Sequence, residues 1–210
     1  MRTGCIILAL LLARMVNFGA VTFDLGAERL KNADGSPMPS SGLVILAAST
    51  LDSIFTAPTP DQFFSGDDVE LARWALTVIG GGGGLGDGSF SGTTRPLTLS
   101  GNWTVRDPVQ LYWFPTLTLT PSSDSPGAGT PYGTYRHDTG LDGSEPWFTP
   151  ADGLGRTLLF LTADATVPGS NLASTGNASL TVVPEPSHYA MACGLVCLGY
   201  AVVSRKLRRA

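Results

Sequence analysis

The middle of this 210-residue chain contains no cysteine. Cys5 stands near the start, and Cys193 and Cys197 stand near the end. The stretch from Val21 to Val183 is therefore read without a disulfide, a thiolate metal site or a cysteine nucleophile. Histidine is nearly as scarce, with only His137 and His188, so a metal site built on His and Cys is excluded by count. No Gly-x-Ser-x-Gly stands on a strand-to-helix turn, the place a serine hydrolase puts its nucleophile. The glycine run at Gly80–Gly88 (GGGGGLGDG) lacks the Lys-Ser/Thr pair of a phosphate cradle, and reads as a flexible hairpin connection. No coiled coil, long amphipathic helix or fixed-period repeat is present.

Cations are few outside the two ends. From Val21 to Ser187 seven cations face seventeen acids, a net charge of −10. Such a surface does not bind nucleic acid or an anionic membrane face. It suits a secreted domain, or one that binds cations.

The 26 Gly and 15 Pro of the chain punctuate short β-branched and aromatic runs, and this predicts an all-β, β-sandwich-like body. Val21–Leu25 alternates as a first strand. Leu43–Ala48 (LVILAA) is a short continuous apolar run, expected to be covered on both faces. Thr50–Asp68 is a long polar connection, with Phe55, Phe63 and Phe64 placed to pin it down. Further strands are expected at Val69–Ile79, Pro96–Ser100, Trp103–Arg106, Val109–Phe114, Thr116–Thr120, Tyr132–Arg136, Thr157–Ala163 and Ala178–Val183. Pro115 is expected to break Val109–Thr120 into two strands.

The two ends read differently. Arg2, a compact apolar run from Cys5 to Ala13, and the small pair Gly19-Ala20 form a signal-peptide layout over residues 1–20. At the other end, Pro184-Glu185-Pro186-Ser187 fixes an extended segment that cannot join a helix. Tyr189–Val203 is apolar or small, and as a helix it would span about 22 Å. Such a run approaches the roughly 17–25 residues needed to cross a bilayer. Arg205, Lys206, Arg208 and Arg209 follow as a cytoplasmic stop.

Motif, apolar span and basic end, in that order over residues 184–210, resemble the PEP-CTERM sorting tail of certain Gram-negative bacteria. The resemblance implies an exosortase-type membrane transpeptidase as partner. It would cut near Pro184-Glu185-Pro186 and pass the protein to the cell surface, often alongside exopolysaccharide. The expected precursor then has a signal helix at 1–20, an acidic all-β domain at 21–183, and a tail at 184–210 with a transmembrane helix. It would use the export machinery and sit briefly in the inner membrane.

For the body, a non-enzymatic structural or interaction role without a cofactor is the leading expectation. A carbohydrate-binding module acting on exopolysaccharide is the first alternative, and it would show a row of exposed rings. Tyr132, Tyr135, Arg136 and Trp147 are the candidates, because Gly133 opens the backbone between the two tyrosines. A secreted hydrolase is the second alternative, and it would show two carboxylates about 5–10 Å apart in a cleft, or His137 beside an acid and a hydroxyl. Asp67-Asp68 and the Asp-Gly pairs at Asp34, Asp87, Asp142 and Asp152 suit calcium, but Asp-Gly is also a common turn signal, and no metal site is assigned.

Overall fold

The computed structural model describes residues 20–76, 88–119, 125–137, 147–162, 174–183 and 197. Among them every multi-residue element is a strand, and the strands form two sheets. The expected signal and transmembrane helices lie outside the described residues.

The first sheet is built on β1 (Ala20–Ala27). Its alternation sends Val21, Phe23, Leu25 and Ala27 into the core, as a half-buried strand requires. Strands β4 (Phe90–Thr93) and β5 (Leu97–Thr98) run antiparallel to β1 along one edge. Strand β8 (Gly155–Phe160) runs parallel to β1 along the other. The register slips by one residue between β4 and β5. Thr94 fills the slip: its N–H donates to the Phe23 carbonyl, and its hydroxyl accepts the Phe23 N–H, both at 2.9 Å.

The second sheet is antiparallel, in the order β3-β2-β6-β7-β9. Its members are β2 (Gly42–Ser49), β3 (Asp68–Ala75), β6 (Val109–Thr118), β7 (Pro131–Tyr135) and β9 (Leu180–Thr181). Every residue of β2 is buried, as its unbroken apolar run predicts. One face of this sheet meets the first sheet across a core that includes Phe23, Leu46, Leu111, Trp113, Leu158 and Phe160. The other face carries a second cluster with Leu43, Ile45, Tyr112, Phe114, Tyr132 and Val182. Phe55, Phe63 and Phe64 of the β2–β3 connection lie on that cluster, so the connection is a third layer.

Three expectations are corrected. Val109–Thr118 is one strand, not two: Leu43 faces Phe114 while Gly42 faces Thr118, so Pro115 sits in a bulge and the strand continues past it. Trp103–Arg106 is a turn. There Asp107 accepts hydrogen bonds from the Thr104 N–H at 2.6 Å and its hydroxyl at 3.0 Å, and Arg106 is left-handed at φ 74°. Local side-chain bonds of this kind compete with a ladder. Strand β4 was not among the expected strands, and its Gly92 is of a type that weakens a strand interior.

Gly133 serves packing. A Cβ there would collide with the indole of Trp113, whose ring stacks toward Phe160 at 5.7 Å. The bare backbone that suggested ligand access is the seat of a core tryptophan. Gly133→Ala is expected to destabilise the fold by about 1–3 kcal/mol through overpacking, read as a lower denaturant midpoint with an unchanged slope.

Candidate functional site

The four ring and cation candidates do not form one face. Tyr132 is buried in the second cluster and stacks on Phe114 at 5.7 Å. Tyr135 points to the main core, stacked on Phe160 at 3.9 Å and edge-on to buried Trp147 at 5.1 Å. Arg136 follows Tyr135 and reaches the covering loop. Its Nη1 donates to the Ser53 carbonyl at 2.9 Å, and its guanidinium lies 5.5 Å from the Phe55 ring centre. Neighbours in a strand alternate faces, so Tyr135 and Arg136 are turned apart. His137 is only 8% exposed, and its carbonyl accepts the Trp147 N–H.

The sorting-motif residues Pro184, Glu185, Pro186 and Ser187 lie outside the described residues, as do Arg205, Lys206, Arg208 and Arg209. The described chain reaches them through Val183. Val182 is buried, and is held by its N–H on the Thr130 carbonyl and by the Gly129 N–H on its own carbonyl. Val183 is 59% exposed. No described helix is long and apolar enough to cross a membrane.

What the fold does bring together is an open cleft of about 700 Å³ at one corner of the sandwich. One wall is the start of β3, with Asp67, Glu70 and Leu71; the other is Leu97 to Trp103. At its far end β3 closes on the first sheet, where Trp74 meets Phe90 at 5.5 Å. Nearer Asp67 the two sheet edges splay apart. Leu71 is the extra residue of a bulge, since Leu46 faces Ala72 and Ala47 faces Glu70. Trp103 stands deep in the cleft, 8% exposed, with its indole N–H on Thr149 Oγ1 at 2.9 Å. None of the candidate rings marked this place, and of the sequence signals only the calcium-suiting Asp67 lies in it. Its walls come from segments some thirty residues apart, each unremarkable alone.

The carboxylates around the cleft and the loop behind it have opposite characters. Asp67 Oδ2 accepts the N–H groups of Leu51 at 2.6 Å and Thr50 at 2.8 Å, and the Ser49 hydroxyl at 3.1 Å. The Leu51 bond leads in holding its carboxyl below the usual range, against some desolvation. Glu70 pairs with Arg73 through both oxygens. Asp68 is 8% exposed; its Oδ2 accepts the Thr56 N–H at 2.7 Å and hydroxyl at 2.6 Å, while Oδ1 is buried without a partner. Burial pushes its carboxyl up, opposed by the Thr56 bonds. Burial likewise raises the Tyr112 phenol well above its ordinary range. Asp34 spends one oxygen on the N–H and hydroxyl of Ser36 and is a turn residue. Asp87 and Asp142 lie outside the described residues. Among the described residues no three His, Cys, Asp or Glu side chains converge as metal ligands.

No protein-family model, curated protein or solved structure matches this chain.

The two adjacent aspartates should respond oppositely to pH. A raised folded pKa means that ionised Asp68 weakens the fold once pH climbs from the unfolded value of 3.8 through the folded one. Asp68→Asn should therefore raise Tm at pH 7 by about 2–4 °C, and this gain should fade below pH ~4. A depressed pKa means that Asp67 supports the fold above 3.8, with the support lost as pH falls through its folded value. Asp67→Asn should lower Tm at pH 7 and converge with the parent in acid. Melting curves of both variants between pH 3 and 7 check the pair.

Proposed function

We propose that this chain is an exported surface or extracellular-matrix protein with a structural or interaction role rather than a catalytic one. It is delivered as a precursor held in the inner membrane by its tail and processed near Pro184-Glu185-Pro186 by an exosortase-type transpeptidase. The observation that carries the reading is the ordered tail: rigid motif, apolar span, then Arg205, Lys206, Arg208 and Arg209. A soluble core helix has no use for four cations in its final turn and a half, while a membrane stop does.

The end of the β body supports this. Among the described residues of the body the last one tied is Val182, and the next, Val183, is exposed at the edge of the second sheet. A cut at the motif would remove no described strand. The extended chain imposed by Pro184 and Pro186 is a form a processing enzyme can grip. The non-catalytic reading draws on the state of the polar groups. His137 is buried, Asp67 is committed to three donors, and Glu70 is paired with Arg73.

The intact mass of the mature protein from its host, with and without the exosortase-type enzyme, tests the proposal. Loss of the mass beyond about Pro184 only in the presence of the enzyme is expected, and added mass on the new end would identify the attachment. An intact C-terminus in both strains would refute sorting and leave a plain tail-anchored envelope protein.

A further inference from the structure

We infer that the cleft between β3 and the Leu97–Trp103 segment is a binding site for a saccharide chain carrying amino sugars. The size fits: about 700 Å³ lies within the roughly 300–1,000 Å³ of small-ligand sites. A second hollow of about 510 Å³ adjoins it across the same loop, sharing Ser100, Gly101 and Trp103 and reaching Asp152. Two hollows flanking one ridge suit a chain that crosses it better than a single small molecule.

The lining has the chemistry of a sugar. Leu71, Leu97 and the small exposed part of Trp103 offer apolar contact to C–H faces. Thr98, Ser100 and Asn102 offer hydroxyl and amide partners around it. The charge is one-sided: Asp67 and Asp152 line the two hollows, Glu70 is neutralised by its pairing with Arg73, and among the described residues no Lys or Arg lines either hollow. Asp67 is held ionised by its donors, so the site carries fixed negative charge. Uronate or sulfate groups would be repelled there, and protonated amines attracted.

The competing occupant is an extended peptide adding a strand to β3, which pairs only with β2 among the described residues. The bulge at Leu71 and the charged Glu70 and Arg73 work against it. Bulges and charges are how sheet edges are blunted against strand addition.

The test uses the full chain in a zwitterionic detergent without a sugar headgroup, at pH 6 and low salt. Three tetrasaccharides are titrated by calorimetry: β-1,4-linked glucosamine, its N-acetylated form, and galacturonate. The expected order is saturable binding of the glucosamine tetramer, weaker binding of the acetylated one, and none of the uronate. Asp152→Asn, at an exposed position, should weaken the glucosamine tetramer by about three- to tenfold and the acetylated one little. Ser100→Trp, which plugs the cleft from an exposed position, should abolish binding with the melting temperature unchanged. No saturable binding of any tetramer, equal binding of the uronate, or binding that survives Ser100→Trp would overturn the assignment. So would saturable binding of an alternating Val-Lys peptide in place of the sugars, which would make β3 a strand-addition edge. None of these outcomes depends on tail processing, so failure here and failure of the sorting proposal are separate results.

Discussion

Every residue of Gly42–Ser49 is buried, so the central strand β2 needs a layer on each face. The first sheet covers one. The other is covered by a connection with no strand of its own, residues 50–67. Polar ties add to the three ring contacts in fixing that connection. Asp67 and Asp68 hold its ends against Ser49, Thr50, Leu51 and Thr56. Its two left-handed non-glycine residues, Ser53 at φ 62° and Asp61 at φ 69°, are each tied to the opposite side of the sheet, by Arg136 and by the Pro126 carbonyl. A strained backbone persists only where its surroundings over-determine it, and these two positions meet that condition.

The same anchoring explains the unequal aspartates. Asp67 lies on the rim, where backbone N–H groups meet it and favour its charge. Asp68 is the next residue and turns inward, beneath the cover it fastens. One residue of a strand separates two faces, and so separates a carboxylate that water and amides share from one with a buried oxygen and no partner. The cleft is a by-product of this arrangement. Strand β3 begins at Asp68, where the cover ends, and is bulged at Leu71 beside the cleft.

The strands were legible where periodicity alone decides. Leu43–Ala48 announced a doubly covered strand, and Val21–Leu25 a half-covered one, because burial writes itself directly into those patterns. The pinning role of Phe55, Phe63 and Phe64 was legible for the same reason, as rings in a polar stretch need a surface. Trp103–Arg106 misled because its residue types favour strands while Asp107 closes a turn on them. Pro115 misled because a missing donor stops a ladder only where a donor is required, and in a bulge it is not. The cleft was illegible because its negative walls meet only through sheet packing. The aromatic candidates show the converse: Tyr132 and Tyr135 are three residues apart, yet the alternation of β7 divides them between two cores, and Trp147 joins only Tyr135.

The position of the cleft relative to the tail follows from the sheet itself. Val183 leaves beside β9, at one lateral edge of the order β3-β2-β6-β7-β9, while the cleft borders β3 at the other. Along the strands, the exit lies at the level of Gly42 and Thr118, and the cleft at the level of Ser49 and Asp68. Four interstrand spacings and seven residues of rise place the two at diagonal corners, roughly 30 Å apart. On the proposed reading, a membrane that holds the tail therefore meets the exit corner, and the acidic cleft is carried at the far one. An anionic bilayer surface repels a body of net charge −10 as a whole. Its effect fades within a Debye length of about 8 Å at physiological salt, short of the cleft. The field at the cleft is then set by Asp67 and Asp152 and not by the lipid. A ligand selected there by charge would be selected equally before and after the tail is cut.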